Sequence, residues 1–338
     1  MEPTAMNPLG RTDVKVTAMS FGGAPIGNFM RPFSDEEARA MVDAAWELGI
    51  RFFDTAPLYG HGLSEQRLGA ALAVRERSEY TVASKAGRVL DAADPKDIDS
   101  GLWVDPAPFN ARYDYSYDGI MRSVEQSLQR LNIENLDIVF MHDIDRYTHG
   151  SEQPKMFAKA LDEGFAALVD LRSQGVIKAI GFGVNEADIC ADAVRNTDTD
   201  AVLLAGRYTL LEQEPLDDLL PMCESRGIGV VLGGVYNSGV LATGAVPGAK
   251  FNYGPAPEPV LEKVRKIQEV VADHGVSLPA AALQFSAAHP AVASICVGSR
   301  NAAQQAQSAE LFRADIPAGF WEDLRSAGLI RTDAPTPA

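Results

Sequence analysis

Cysteine, positive charge and long apolar runs are all scarce in this chain. Its 338 residues hold only 3 cysteines, Cys190, Cys223 and Cys296. They are odd in number and far apart, which excludes a disulfide framework and suits a reducing compartment. Lysine and arginine number 30 against 46 acidic residues, for a formal net charge of -16. A surface of that sign repels nucleic acid and anionic lipid, so neither is expected as a partner. The longest apolar runs, such as Ile228–Leu232, fall far short of the roughly 20 residues that span a bilayer. The opening MEPTAMNPLG has no basic start and no apolar stretch, so no signal peptide is visible. A cytoplasmic, soluble protein is expected. No G-x-G-x-x-G follows the first strand. No His/Cys/Asp/Glu spacing suggests a metal, and no serine or cysteine sits in a recognisable nucleophile motif.

What is present is alternation. Hydrophobic residues make up 46% and charged ones 22%, which is ordinary for a globular protein able to bury a large core. An Asn-Pro-Leu-Gly turn before Val14 and Val16 predicts a hairpin over 6–16. Strands are expected at 18–23, 50–54, 80–85, 136–142, 177–184, 201–205, 228–233 and 293–297. Helices are expected at Ser34–Leu48, with Ser34 and Glu37 as a capping box, and at 65–74, 117–131, 157–173 and up to Arg195. Further helices follow at 216–226, 259–274, 278–288, through about Phe312, and at 320–327. The Pro-rich tail beyond is expected to be loose. Several strands are continuous apolar runs, as in sheets buried on both faces. Eight such units in this length predict one (β/α)8 barrel over residues 1–338, with a doubly wound open sheet as the alternative. Three long connections, 86–116, 143–154 and 235–257, all follow strands. They are expected to cover substrate and cofactor at one end of the barrel, because they are rich in aromatics such as Trp103, Phe109 and Tyr253.

The stretch 51–72, RFFDTAPLYGHGLSEQRLGAAL, reads as strand, loop, helix. It carries Asp54 and Tyr59 where strand becomes loop. Lys85 and His142 end two later strands. In a barrel these four groups converge on one mouth. They suit proton transfer coupled to hydride transfer. Tyr59 would exchange the proton, Lys85 would pull its pKa down from about 10, and Asp54 would hold Lys85. His142 would orient the substrate oxygen or relay a proton.

FDTAPLYGHGLSEQRLG, with Lys85 in VASKAGR and His142 in FMHD, resembles the aldo-keto reductases along nearly the whole chain. The resemblance implies a nicotinamide cofactor held without a Rossmann motif, and Asp54, Tyr59, Lys85 and His142 as the catalytic tetrad. It implies cofactor contacts at Gly22, Gly23, Ala24, Asp54, Asn185 and Arg207. Tyr208 or Tyr236 would stack on the nicotinamide. Asn237, Ser238, Gly239 and Leu241 would wrap the pyrophosphate. Gly298, Ser299, Arg300, Gln304 and Ser308 would form the adenosine end. Where the family often has lysine and arginine, this chain has Gly298 and Gln304, which leans the cofactor towards NAD rather than NADP. Substrate contacts are expected from Tyr59, His142, Trp103 and Phe109.

VYNSG and MHDIDR are similar to the sugar-dehydrogenase branch of that family. This implies oxidation at C1 of an aldose, L-fucose or another D-threo-aldose, to the lactone. The other readings are a pyridoxal 4-dehydrogenase, an NADPH-dependent aldehyde reductase, and a cofactor-binding regulatory subunit. The sequence carries no reading of the oligomeric state.

Overall fold

The computed structural model describes residues 1–337. Eight parallel strands close into a barrel in sequence order. They are β1 (Met19–Gly22), β2 (Phe52–Asp54), β3 (Thr81–Ala86), β4 (Leu136–His142), β5 (Ile177–Val184), β6 (Ala201–Ala205), β7 (Gly229–Gly233) and β8 (Val292–Val297). β8 returns to β1, with Cys296 beside Ser20. Helices pack outside the strands, so both strand faces are buried, which is why β4 and β5 read as apolar runs.

Period-two alternation sorts the interior. Phe52, Ala83, Ile138, Phe140, Ala179, Ala201, Leu203 and Val231 form one buried cluster. Leu9, Val14 and Val16 of the N-terminal hairpin join it and plug the amino end of the strands. A second, larger cluster lies between strands and helices. Gly181 in β5 is fixed by close approach, since a Cβ there would lie 1.6 Å from the Ala201 carbonyl oxygen.

The helices start where local chemistry directs. The Ser34 hydroxyl accepts the Glu37 N–H at 3.1 Å, and the Glu37 carboxylate accepts the Ser34 N–H at 2.8 Å. The helix expected over 157–173 is a longer run. It consists of Gln153–Lys159 and Phe165–Ser173, joined by a π turn over Ala160–Gly164. The connection 86–116 holds a hairpin, Arg88–Ala92 with Phe109–Tyr113. The connection 235–257 holds the short paired strands Lys250–Phe251 and Gly254–Pro255.

The tail is not loose as expected. Arg325 Nη2 donates to the Ala334 carbonyl at 3.0 Å and to Thr336 Oγ1 at 2.7 Å, and Leu329, Ile330 and Ala334 are buried. Proline alone does not decide the state of a terminus; burial and backbone anchoring do. Among the described residues no helix is long and apolar enough to cross a membrane.

Candidate active site

Three strands end their inward faces on a polar side chain. One step beyond Phe52, Ala83 and Phe140 on the same face come Asp54, Lys85 and His142. All three therefore stand at the carboxyl rim of the barrel, the end where barrel enzymes keep their chemistry. Gly183 on neighbouring β5 leaves room for them. A Cβ there would lie 3.8 Å from Lys85 Cε and 3.9 Å from His142 Cδ2.

Lys85 and Asp54 are 1% and 2% exposed. Lys85 Nζ donates to both Asp54 carboxylate oxygens, at 2.8 and 2.9 Å, and to the Thr55 carbonyl at 2.8 Å. All three ammonium protons are thus used, so the buried ion pair is fully satisfied. Burial pushes the Asp54 carboxyl upward, and the Lys85 charge opposes it.

Tyr59 sits above this pair, with Lys85 Nζ 4.7 Å from its ring centroid. The His142 ring stands edge-on to it at 6.3 Å. Here the structure departs from the expected electrostatics. Burial drives the Tyr59 phenol well above its ordinary value, and Asp54, Cys296, Asp143 and Tyr253 push the same way.

His142 is held neutral. Burial, then Arg88, then Lys85 push its pKa well below the usual histidine range. Arg88 is the residue that sequence reasoning missed. It is buried and donates Nη1 to His142 Nδ1 at 2.9 Å and Nη2 to Asp143 Oδ2 at 2.6 Å. The available signal was its place three residues after Lys85, just past Gly87, whose φ of 110° turns the chain back over the mouth.

A cleft of about 100 Å³ runs alongside. Asn185, Ala205, Gly206, Arg207, Gly234, Asn237, Ser238 and Tyr253 line it. Asn185 joins cleft to tetrad, since its amide donates to Asp143 Oδ1 at 3.3 Å and its carbonyl accepts from Arg207 Nε at 2.6 Å. Arg207 also pairs with Glu212 at 3.0 Å, so its charge is already committed. Ser238 accepts the Tyr253 N–H at 2.9 Å. Gly239 has a left-handed φ, and Leu241 is fully buried. Gly22 ends β1, and the Gly23 N–H donates to the Asp54 carbonyl at 2.8 Å, with Ala24 next in the chain.

In the segment after β8, Gly298 packs close to Pro25, where a Cβ would lie 3.2 Å from Cγ. Arg300 is exposed, and its N–H donates to Gln304 Oε1 at 2.9 Å. Ser299 and Ser308 are buried.

Tyr208 is not on this wall. It is 1% exposed and stacked on Phe285 at 5.4 Å, so its ring belongs to the core between barrel and helices. An aromatic beside an arginine gives no sign in sequence of which side it faces. Tyr236 is half-buried at the start of the loop after β7, and burial pushes its phenol up to about 12.

Over the mouth, Trp103 lies 5.5 Å from Tyr59 and 5.2 Å from Phe29, and Phe29 meets Tyr253 edge-on at 6.3 Å. Phe29 was not foreseen. Phe109 starts the second strand of the hairpin, where its carbonyl binds His61 Nδ1 at 2.6 Å.

Such a mouth can move a proton to or from a substrate oxygen while a hydride leaves or joins the adjacent carbon. That is the work of an oxidoreductase carried on a parallel barrel. The chain belongs to the aldo/keto reductase family, which matches residues 18–328, and it is an NAD(P)-dependent oxidoreductase. It is 42% identical to a pyridoxal 4-dehydrogenase of Microbacterium luteolum, over 95% of this chain and 97% of that one. It is 40% identical to a D-threo-aldose 1-dehydrogenase of a Pseudomonas species, over 94% and 95%. A solved aldo-keto reductase from Bacillus halodurans, in its holo form, shares the fold with a TM-score of 0.75 at 22% identity, covering 97% of each chain.

Proposed function

We propose that this enzyme uses NAD to oxidise the ring hydroxyl of a cyclic hemiacetal to a lactone, with an aldose of the L-fucose or D-threo type as substrate. The observation that carries the reading is the phenol of Tyr59 set over a fully satisfied Lys85–Asp54 pair, with neutral His142 beside it. Tyr59 would take the hydroxyl proton of the substrate. His142 would donate a hydrogen bond to the same oxygen, and Lys85 and Asp54 would set the field around the phenol. The C1–H bond breaks as hydride departs, and the C1–O bond becomes the lactone carbonyl. A bound nicotinamide supplies the hydride acceptor.

The residues present fit such a cofactor. Asn237 Oδ1 in the cleft, and Ser299 Oγ and both amide atoms of Gln305 in the segment after β8, are buried with no partner. Buried orphans of this kind call for a ligand or water. NAD is preferred because Gly298 and Gln304 add no charge, leaving Arg300 alone for a 2′-phosphate.

A second reading is pyridoxal, which also presents a ring hemiacetal. The wall of Tyr59, Trp103 and Phe29 favours it, since a flat heteroaromatic ring stacks on such a surface. Initial rates with L-fucose, other aldoses, pyridoxal and simple aldehydes, each with NAD and NADP, test the proposal. Lactone formation with NAD is the expected result. Cofactor binding with no turnover of any substrate would leave a regulatory binding subunit instead.

A further inference from the structure

We propose that Arg88 is a positioning residue for this reaction: its guanidinium locks His142 as the ring with its proton on Nε2, and through Asp143 it sets the amide of Asn185. The inference deepens the oxidoreductase reading above and rests on it for the meaning of His142.

Arg88 begins the hairpin strand Arg88–Ala92. Tight packing aims it: Gly87 has φ 110°, and a Cβ on it would lie 2.4 Å from the Tyr115 ring. At 4% exposure its guanidinium has no solvent to turn to. The Arg88 carbonyl accepts from Ser123 Oγ at 2.7 Å. The Arg88 head packs over the Tyr113 ring, 4.4 Å from the centroid, and Nη2 donates to the Tyr113 hydroxyl at 2.6 Å. Backbone and head are therefore both fixed.

A guanidinium has donors only. At 2.9 Å from Arg88 Nη1, His142 Nδ1 must accept, so the single proton of the neutral ring lies on Nε2. Asp143 Oδ1 is 3.5 Å from Nε2, too long to capture that proton. The Nε2–H remains free for a substrate oxygen. The groups facing the ring are Tyr59 from the β2 loop, Lys85 from β3, Arg88 from the hairpin segment and Asp143 beside it, while Tyr113 bonds Arg88 and Tyr115 bonds the His142 carbonyl. The two cations disfavour an imidazolium, and burial acts with them.

The same guanidinium binds Asp143 Oδ2, while Oδ1 of that carboxylate receives the Asn185 amide at 3.3 Å. Asp143 holds a left-handed φ of 54°, which a residue with a side chain keeps only where its surroundings impose it. The Tyr115 hydroxyl donates to the carbonyls of His142 and Asp143 at 2.7 and 3.0 Å. One arginine thus sets both the donor to the substrate and the amide on the cofactor side.

Arg88→Lys separates positioning from mere charge balance. Lysine keeps the charge against Asp143 but lacks the planar fork that reaches His142 at the same time. The test is 15N NMR of histidine-labelled protein at about pH 6 and about pH 8, with His142→Asn used to assign its signal. The wild type should show one neutral Nε2–H ring, unchanged between the two. Arg88→Lys should show a mixture of tautomers, and kcat should fall about tenfold or more while the cofactor Kd stays within about threefold. An Nδ1–H ring or a titrating His142 in the wild type, which needs no variant to fold, would overturn the inference. So would a pure Nε2–H ring in Arg88→Lys. Because the tautomer is read without substrate, it stands or falls apart from the substrate panel: the expected spectra with an inactive panel would sink only the reaction assigned.

Discussion

Replacing Asp54 by asparagine tests the electrostatics of the mouth, and it predicts a change opposite to simple loss of function. Asp54 faces Tyr59 as a negative charge and at the same time cancels Lys85. The neutral amide would remove both effects and leave a bare ammonium 4.7 Å from the phenol ring. At an effective dielectric near 20, a unit charge at 4.7 Å is worth about 3.5 kcal/mol, or roughly 2.6 pH units, as an upper bound. Lys85 should keep its place, because the Thr55 carbonyl still holds it at 2.8 Å. Oxidation needs Tyr59 in its base form. The rate should therefore rise with pH in the wild type, and the rising limb should move down by about one to two units in Asp54→Asn, although the maximum rate falls. Initial rates of NAD reduction across the alkaline range, checked by tyrosinate absorbance against Tyr59→Phe, measure the limb. A limb that stays in place, or moves to higher pH, refutes the reasoning.

Lys85→Met should move the same limb upward or abolish oxidation. It should also lower stability by about 3–5 kcal/mol, because it leaves the Asp54 carboxylate buried without a partner; denaturant unfolding measures this. Acidification should destabilise the fold through His142. Its folded pKa lies below the unfolded value, so the unfolded chain takes the proton first as pH falls. Stability present above about pH 6.5 is then lost below it, at up to about 1.4 kcal/mol per pH unit, and Tm in His142→Asn should fall less steeply between about pH 7 and pH 5. Gly181→Ala should yield no folded protein at ordinary temperature, since its methyl would lie 1.6 Å from the Ala201 carbonyl oxygen; circular dichroism of the purified chain checks it.

The barrel was legible because its signals are periodic. Apolar runs mark strands buried on both faces, and Ser34 with Glu37 marks a helix start through bonds between neighbours in sequence. The polar ends of β2, β3 and β4 were legible for the same reason, since alternation carries Asp54, Lys85 and His142 to one rim. Direction and charge sharing were not. Of the two aromatics expected at the cofactor, Tyr208 and Tyr236, Tyr208 lies against Phe285, because the turn after β6 decides its side and leaves no trace in composition. Lys85 was expected to lower Tyr59, but the net shift is upward and burial leads it, which depends on packing that the sequence does not show. Arg88 and Phe29 reach the mouth from segments with no repeating pattern, and only the folded hairpin and loop bring them there. The tail has a loop-like composition, yet Arg325 ties it down from a helix some ten residues earlier in the chain.

The role given to Tyr59 is open to a single comparison. Wild type and Tyr59→Phe are each given NAD with L-fucose and with pyridoxal, and cofactor affinity is followed in parallel by quenching of tryptophan fluorescence. Removing the phenol oxygen should cut turnover by about 10²-fold or more while affinity for NAD changes little. A variant that turns over within about tenfold of the wild type would show that the proton travels by another route.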